Sequence, residues 1–314
     1  MKSQYVEELR AGETVKEKFV LTRKILKEKK GGGNYAVLEF TDRTGSIEGI
    51  AWDNVVESLN AVSVGDFVFI SGTVGEYNDR LQVVLNSIRR IPDEEADALD
   101  FMPRCPDDVE KIIAEIQAYK TRVNNVYLKK LLSLFFDDPV FLKNFKLAPA
   151  AKRAHHAYLG GLAVHTLNIL KLLMHIQSVY DFLDIDLLIT AGILHDVGKI
   201  SEYAYAKKID ISTEGKLLGH IMLGYEMIVE KIGLIDGFPK ELRWKLLHMI
   251  ISHHGEFEWG SPREPMFLEA LVLHFIDNLD SKVAMIREEL KKNRGKEREW
   301  SDYHQYLERE LYLR

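Results

Sequence analysis

The sequence predicts a multidomain protein in which a small all-β barrel precedes an all-α domain, and three observations predict this division. Residues 1–92 alternate β-branched and aromatic residues with short turn sequences. From Asp107 onward, apolar residues recur with the period of an α-helix. The chain of 314 residues is also longer than one hydrophobic core usually organises, and the acidic, proline-punctuated stretch Pro92–Pro106 is typical of a linker.

Segments rich in Val, Ile, Phe and Thr in the N-terminal part predict five short strands. They are Val15–Lys24, Tyr35–Thr41, Ser46–Trp52, Asp66–Val74 and Leu81–Ile91. Turn residues separate them, and a helix-compatible stretch, Asn54–Ala61, lies between the third and fourth strands. This spacing favours a five-stranded OB barrel, although an SH3-like barrel or half of a β-sandwich would produce a similar pattern.

The expected domain boundaries follow from the points where the pattern changes. We expect a barrel at 1–92, a linker and helical connector at 93–149, the main helical domain at 150–290, and a charged, helical C-terminal tail at 291–314. In the connector, the apolar stripe of Val109, Ile112 and Ile116 indicates a helix. Interruptions such as Gly198–Gly219 and Gly255–Pro265 separate the later helices.

Composition excludes several classes of protein. The single cysteine, Cys105, excludes an intrachain disulfide and a zinc site built on thiolates, and it fits a reducing cytoplasm. No apolar run approaches the roughly 20 residues that span a bilayer, and the N-terminal residues lack the apolar segment of a secretory signal. A net charge of −6 argues mildly against coating nucleic acid through bulk electrostatics but allows a local basic groove. We therefore expect a cytoplasmic protein with no membrane partner.

Histidine and aspartate residues occupy the ends and apolar faces of the predicted C-terminal helices. The set is His165, His195, Asp196, His220, His253, His254 and Asp277. An ionised aspartate on an apolar helix face loses several kcal/mol of hydration unless another group compensates. A divalent cation does so, and donors from His and Asp without Cys suit Mn, Fe, Mg or Zn. The set therefore predicts a divalent-metal site.

Other histidines favour a structural interpretation. A single histidine on an apolar face is more often a hydrogen-bonded core residue than a ligand, and we interpret His175, His248 and His304 in this way. His274, one turn before Asp277, could line the site, although a core role is favoured. A single aspartate could pair with an arginine, but the whole ordered set is harder to explain without a metal.

The order of the seven residues resembles that of the HD superfamily of metal-dependent phosphohydrolases. The extra histidines between Asp196 and Asp277 resemble those of its binuclear members. The resemblance implies two divalent ions bridged by Asp196, and Lys199 matches a lysine that typically contacts a phosphate. One ion would be held by His165, His195 and Asp277, and the other by His220, His253 and His254.

The whole architecture is similar to that of the YhaM-type 3′–5′ exoribonucleases. The similarity rests on the barrel and on HHAYLGGLAVHT, ILHDVGK, SHHGEFEWGSP and LHFIDNLDSK. It implies hydrolysis of single-stranded RNA, with DNA as a further substrate, to nucleoside 5′-monophosphates. It also implies Mn²⁺ as the metal, with Mg²⁺, Fe²⁺ or Zn²⁺ as alternatives. The Gly-Tyr-Pro element of cyclic-dinucleotide phosphodiesterases is missing after His254, which disfavours that substrate.

Further residues are candidates for contacting the substrate. His156 and Arg153 precede the first ligand and could contact a phosphate or a leaving group, although surface or capping roles fit them equally. OB barrels stack bases on aromatic side chains over a cationic groove. The candidates in the barrel are Lys24, Lys27, Lys29, Lys30, Tyr35, Trp52, Phe69 and Tyr77. Phe67 and Phe69 share a strand face that we expect to point inward, and the lysine-rich loop could equally be a solvated hairpin tip.

These observations favour a metal-dependent 3′–5′ exonuclease acting on single-stranded RNA. An alternative is a phosphohydrolase of free nucleotides, in which the barrel serves regulation or oligomerisation. A third interpretation is a nucleic-acid-binding module with an inactive HD domain, and the intact ligand set argues against it. Each interpretation is compatible with a homo-oligomer.

Overall fold

The computed structural model describes residues 2–29, 32–78, 80–152, 156–205, 209–295 and 297–314. They divide into two units: the first contains the residues up to Arg104 together with Tyr205 and Ile209, and the second contains Cys105–Ala204 and Asp210–Arg314. Each unit has its own hydrophobic core. Within the described ranges, no helix combines the length and the apolar character needed to cross a membrane.

The first unit is a closed five-stranded barrel. Its strands are β1 (Thr14–Glu28), β2 (Asn34–Asp42), β3 (Gly45–Ala51), β4 (Phe67–Tyr77) and β5 (Arg80–Arg90). They are hydrogen-bonded in the order β1-β2-β3-β5-β4, and β3 pairs with β5 in parallel whereas the other neighbours are antiparallel. A short helix, α1 (Asp53–Val56), follows β3 and continues as a 3₁₀ turn. This arrangement confirms the expected OB barrel and excludes the two other β folds.

Alternating side chains fill the barrel. Phe19 and Leu21 of β1 and Phe40 of β2 are buried in its core. Gly49 of β3 lies so close to Phe40 that a Cβ there would be 2.4 Å from the ring, which explains a glycine within a strand. The expectation that Phe69 points inward holds in part, because its ring is half-buried and packs against a second small apolar cluster.

The second unit is helical, as expected from Asp107 onward. Its helices are α2 (Val109–Arg122), α3 (Val126–Phe136), α4 (Pro139–Leu147), α5 (Gly161–Val179), α6 (Ile185–Leu194), α7 (Lys199–Glu202), α8 (Thr213–Gly233), α9 (Lys240–Ser252) and α10 (Leu268–Asn293). Two short strands, β6 (Tyr203–Ala204) and β7 (Asp210–Ile211), pair between α7 and α8. The break expected at 198–219 is therefore shorter, since α8 begins at Thr213 and only bends at Gly219, where φ is 70°.

Helix α6 is the centre of the second unit. All of its residues from Leu187 to Leu194 are buried, as expected for a helix that is apolar on every side. It packs against α5, α9 and α10, and its first turn is capped by the Asp184 side chain, which accepts a hydrogen bond from the backbone N–H of Leu187. The C-terminal end of α6 therefore carries His195 and Asp196 into the middle of the unit.

The expectation of a helical C-terminal tail was wrong. Helix α10 ends at Asn293, and Gly295 follows in the left-handed region with φ of 80°. The described residues 297–314 form turns closed by isolated bridges between Trp300 and Tyr312 and between His304 and Arg309. Trp300 and Tyr312 pair across the first of these bridges, with ring centroids 5.4 Å apart, instead of lying on one helical stripe.

Candidate metal centre and nucleic-acid surface

The seven predicted ligands lie together in the second unit. They come from the N-terminal part of α5, the ends of α6 and α9, the bend in α8 and the buried face of α10. Their donor atoms form two groups, in each of which the atoms lie within 4.8 Å of one another. The first group is His165, His195 and Asp277, and the second is His220, His253 and His254.

The first group is deeply buried and tightly spaced. The Nε2 atom of His165 is 3.1 Å from that of His195 and 3.1 Å from Oδ1 of Asp277. Both imidazole rings are inaccessible to solvent, and Asp277 is largely covered. Three donors at these distances are poised around a common point, as expected of ligands that share an ion.

Asp196 lies between the two groups, with one carboxylate oxygen facing each. Its Oδ2 atom is 3.5 Å from Nε2 of His165 and 3.4 Å from Nε2 of His195. Its Oδ1 atom is 3.5 Å from Nε2 of His220 and 3.6 Å from Nε2 of His253. A single buried carboxylate therefore connects both groups, which is the arrangement a bridging ligand requires.

The histidines of the two groups share one orientation, with Nε2 toward the centre and Nδ1 toward an acceptor outside it. For His195, His253 and His254 the acceptors are backbone carbonyls, which cannot donate, so each Nδ1 must carry the hydrogen. In the same way, the Asp280 carboxylate accepts a 2.7 Å hydrogen bond from Nδ1 of His165. The Glu202 carboxylate accepts one of 3.1 Å from Nδ1 of His220. This leaves the Nε2 lone pairs available for a metal, because the Nδ1 partner fixes the tautomer.

Electrostatics keep the carboxylates ionised and one histidine neutral. Although burial opposes ionisation, Lys199 and His195 hold the pKa of Asp196 well below its usual range. At Asp277, burial alone would raise the pKa. The hydrogen bond and charge of His165 outweigh it, so the pKa of this carboxyl is lowered. Burial, together with His253 and His220, lowers the pKa of His254 to about 3, so its ring is a neutral donor.

Two unsatisfied atoms show that the site fits a cation. Oδ1 of Asp196 and Nε2 of His253 are buried and have no hydrogen-bond partner among the described residues. Both offer lone pairs, because the hydrogen of His253 is on Nδ1, where it is donated to the carbonyl of Ile250. A buried acceptor without a donor is costly, and a divalent cation accepts lone pairs from both. The donor set of histidines and carboxylates fits such an ion.

Asp280 and Glu202 hydrogen-bond the candidate ligands His165 and His220, and sequence reasoning missed both. Asp280 lies one turn after Asp277, and its second oxygen accepts a 2.9 Å hydrogen bond from the side-chain amide of Asn168. The i, i+3 spacing from Asp277 could have indicated it, since such residues share a helix face. The carboxylates of Glu256 and Glu269 do not orient a ligand: Glu256 is exposed, and Glu269 accepts a hydrogen bond from the backbone N–H of Asp184.

Replacing Asp280 with Asn should lower metal affinity and activity about 10- to 100-fold, because His165 loses the carboxylate that orients it. The affinity is measured by titration of the metal-free protein with Mn²⁺, and the activity by RNA hydrolysis at saturating Mn²⁺. Replacing Asp302, a highly exposed aspartate of the tail, with Asn is the matched control and should change neither value. An Asp280→Asn variant with wild-type Mn²⁺ affinity would contradict the assigned role.

We expect metal binding to displace a proton from the ring of His165. Burial alone would lower its pKa, but hydrogen bonds and negative charge from Asp277 and Asp280 raise that pKa to about 10. We expect Mn²⁺ binding at pH 8 to release about one proton from this ring, and affinity to increase with pH. Calorimetric titration in two buffers of different ionisation enthalpy measures the release, and equal apparent enthalpies in the two buffers would contradict it.

The same proton should affect the stability of the metal-free protein. Because the pKa of His165 in the folded state lies above the ordinary histidine value of 6.5, the folded state binds more protons than the unfolded state between these two values. This contribution to stability is present in full below pH 6.5 and is lost as pH rises through about 10. Urea unfolding of the metal-free protein across that range measures the loss.

The remaining candidates near the metal centre differ in their surroundings. Lys199 is buried, and its ammonium group donates to Oδ2 of Asp196 at 2.6 Å. His156, with φ of 50°, hydrogen-bonds the hydroxyl of Tyr158 at 2.8 Å, and its Nε2 is 3.3 Å from Oδ2 of Asp280. His156 therefore reaches the carboxylate that holds His165. Arg153 lies outside the described residues.

The histidines interpreted as structural have local hydrogen bonds. His175 donates to the carbonyl of Lys171, and His248 accepts from the backbone N–H of Met266. His304 lies in the tail and accepts from a backbone N–H there. His274 donates to the carbonyl of His253, so it supports a ligand without facing the centre.

Three of the candidate nucleic-acid residues of the barrel lie together. Tyr35 and Trp52 stack with ring centroids 5.4 Å apart, and Trp52 is 43% exposed. The Lys29 ammonium lies 5.0 Å from the Trp52 ring and pairs with Asp53. These residues form an aromatic and cationic patch, which we call the Trp52 patch (Lys29, Tyr35 and Trp52).

Other barrel candidates lie elsewhere. Lys24 donates to the carbonyls of Leu59 and Val62, where it caps the 3₁₀ turn, so its ammonium is already engaged. Tyr77 is exposed and lines an open groove of about 760 Å³ with Arg23 and other polar residues. The half-buried Phe69 packs under Arg89, Lys27 is exposed, and Lys30 lies outside the described residues.

Comparison with known proteins agrees with this geometry. The family model described as HD domain matches residues 162–282, and that of an OB-fold nucleic acid binding domain matches residues 19–91. The 3′-5′ exoribonuclease YhaM of Geobacillus sp. (strain WCH70) is 36% identical over 83% of this chain and 80% of that protein. The protein of the same name from Bacillus subtilis (strain 168) is 33% identical over 81% of each chain. This chain belongs to the YhaM family of 3′–5′ exoribonucleases.

Proposed function

We propose that this protein is a divalent-metal-dependent 3′–5′ exoribonuclease that releases nucleoside 5′-monophosphates from single-stranded RNA. The observation that carries the proposal is the buried carboxylate of Asp196, which offers one oxygen to each of two groups of donors. The activity named for its relatives from Geobacillus and Bacillus supports the same reaction. Its single cysteine supports a cytoplasmic location.

The seven ligands would hold two divalent ions, with Asp196 between them. Mn²⁺ suits the mixture of imidazole nitrogen and carboxylate oxygen, and Mg²⁺, Fe²⁺ and Zn²⁺ are the alternatives. Bound ions supply Lewis acidity at the phosphate and an acidified water.

The protein side chains orient the ligands and neutralise charge. Asp280 and Glu202 hold the rings of His165 and His220 through Nδ1, so their Nε2 atoms stay directed at the centre. The Lys199 ammonium is fixed by Asp196 at the edge of the donor groups, where it can stabilise negative charge on a phosphoryl oxygen. His156, close to Asp280, is a candidate contact for the leaving group.

The barrel would bind the single strand. The Trp52 patch offers exposed aromatic surface beside a cation, the combination that single-strand-binding OB barrels use. Stacking uses the faces of the bases and does not require a 2′-hydroxyl, so we propose single-stranded DNA as a second substrate beside RNA. The exposed Tyr77 and Lys27 are further candidates on the barrel.

The decisive assay uses 5′-labelled single-stranded RNA with Mn²⁺ or with EDTA. A ladder that shortens from the 3′ end with Mn²⁺, and no products with EDTA, is expected. Immediate release of a labelled mononucleotide would indicate the opposite polarity and contradict the proposal. Hydrolysis of free nucleoside triphosphates without cleavage of the polymer would favour the alternative, in which the barrel is regulatory.

Replacing Trp52 with Ala should raise KM for single-stranded RNA about 5- to 150-fold, because stacking contributes about 1–3 kcal/mol per base. The kcat for a small phosphodiester such as bis(p-nitrophenyl) phosphate should not change, since that substrate has no nucleobases to stack on Trp52. Trp244→Ala removes a tryptophan of α9 that is 55% exposed and serves as the matched control. An unchanged KM for RNA in Trp52→Ala would exclude this patch from the binding surface.

A further inference from the structure

One face of α10 carries a continuous row of exposed apolar side chains, which we call the α10 stripe. Its members are Leu268, Leu271, Phe275, Leu279, Val283, Ile286 and Leu290, whose exposed fractions range from 37% to 59%. The opposite face of the same helix carries Asp277 and the buried Leu273. One helix therefore serves the metal centre on one side and presents apolar surface on the other.

The stripe is longer and more regular than scattered surface leucines. Leu268, Leu279 and Leu290 are spaced by 11 residues, a repeat that keeps side chains nearly in line along a helix. The 22 residues between the first and the last correspond to about 33 Å of helix at 1.5 Å per residue. Monomeric proteins rarely expose a contiguous apolar surface of this length, and such surfaces mark interaction sites.

The spacing of the stripe is symmetric about Leu279. Phe275 and Val283 lie four residues to either side, and Leu268 and Leu290 lie 11 residues to either side. Leu271 and Ile286 lie eight residues before and seven after it. A heterologous partner requires no such symmetry, whereas a two-fold contact between identical helices requires that residue i meet residue j and j meet i.

We propose that the α10 stripe is the interface with a second copy of this chain, packed antiparallel with the two-fold axis at Leu279. Leu279 then meets its own counterpart, Phe275 meets Val283, and Leu268 meets Leu290. Each apolar side chain is covered by another apolar side chain, and the metal-binding faces of both helices stay turned away from the interface.

The charges beside the stripe complement the same pairing. Glu269 and Arg287 are 18 residues apart, which is five full turns, so they lie along the same edge of α10. Glu269 lies ten residues before Leu279, and Arg287 lies eight residues after it. A two-fold axis at that residue brings Arg287 of one copy within two residues, about 3 Å along the helix, of the level of Glu269 of the other, on the same edge. A parallel pairing in register would instead leave Arg287 of one copy 18 residues, about 27 Å along the helix, from Glu269 of the other.

Charge substitutions at the axis test the proposal in the full-length protein. Sedimentation of the wild-type chain should show a dimer or a larger assembly built from dimers. Leu279→Asp and Leu279→Lys should each weaken self-association by at least about 100-fold, because like charges face each other at the axis. An equimolar mixture of the two variants should restore association. Val140→Asp and Val140→Lys, on an exposed position of α4, are the matched controls and should associate like the wild type.

Cross-linking tests the direction of the helices. In a Cys105→Ser background, Leu268→Cys and Leu290→Cys should form a covalent heterodimer when mixed and mildly oxidised, and neither should cross-link by itself. Covalent homodimers of each variant would show parallel packing and overturn the antiparallel arrangement. If the wild-type chain were monomeric, or if both Leu279 variants associated as strongly as the wild type, the interface itself would be overturned.

Discussion

Replacing Asp196 with Asn is expected to lower the rate of RNA hydrolysis by about a thousandfold or more and to strip bound metal from the protein. Each oxygen of this carboxylate faces one donor group, and an amide offers only one acceptor and no charge. Loss of several kcal/mol of stabilisation of the transition state corresponds to a change of this size. Single-turnover assays measure the rate, and mass spectrometry of the desalted protein measures the metal.

The matched variant is Lys199→Gln, which removes the ammonium group hydrogen-bonded to Asp196 but leaves both oxygens of that carboxylate in place. It should retain bound metal and lose activity, so metal content distinguishes the two residues. Circular dichroism confirms that both variants are folded. If Asp196→Asn retained both its metal and its activity, Asp196 could not connect the two groups.

Replacing Gly198 with Ala is expected to reduce the free energy of unfolding by about 1–3 kcal/mol or more and to lower activity about a hundredfold. A Cβ at this position would lie 2.0 Å from the carbonyl oxygen of His220 and 2.5 Å from the backbone nitrogen of Gly224. Backbone atoms cannot rotate away, so α7 and α8 would have to separate. His220 would then move away from His253 and His254, the other members of the second donor group.

Gly233→Ala is the matched control for that substitution. Gly233 is the last residue of α8, and no atom lies within 4 Å of the position its Cβ would take. Alanine should therefore be neutral or stabilise the helix by up to about 1 kcal/mol, with unchanged activity. Urea unfolding and RNA hydrolysis measure both variants. Wild-type stability of Gly198→Ala would show that the two helices are not packed as described.

The sequence predicts those parts of the site that depend on residue type and order. The β-strands follow from alternation, and the set from His165 to Asp277 follows from polar residues on apolar helices. The orientation of His195 and His253 also has a local cause, because both follow the last residue of a helix. Each donates Nδ1–H to the carbonyl three residues before it, one of the carbonyls that a helix end leaves free.

Other features depend on contacts between distant segments and could not be predicted from the sequence. Asp280 meets His165 across 115 positions of the chain, and only the packing of α10 on α5 brings them together. Lys24 is a basic residue of the kind that contacts nucleic acid. Its ammonium group instead donates to the carbonyl of Leu59, 35 residues later in the chain. Glycine is needed at position 198 because backbone atoms of His220 and Gly224 in α8 lie close to it. The sequence around Gly198 does not indicate this contact.

The measurement that tests the central claim most directly is the number of Mn²⁺ ions bound per chain, determined by mass spectrometry after equilibration and gel filtration. We expect about two ions in the wild-type protein, since Asp196 joins two donor groups. The double variant His220→Gln/His254→Gln should retain about one, because the first donor group is intact. A wild-type chain that binds no Mn²⁺, or a double variant with undiminished content, would contradict the account.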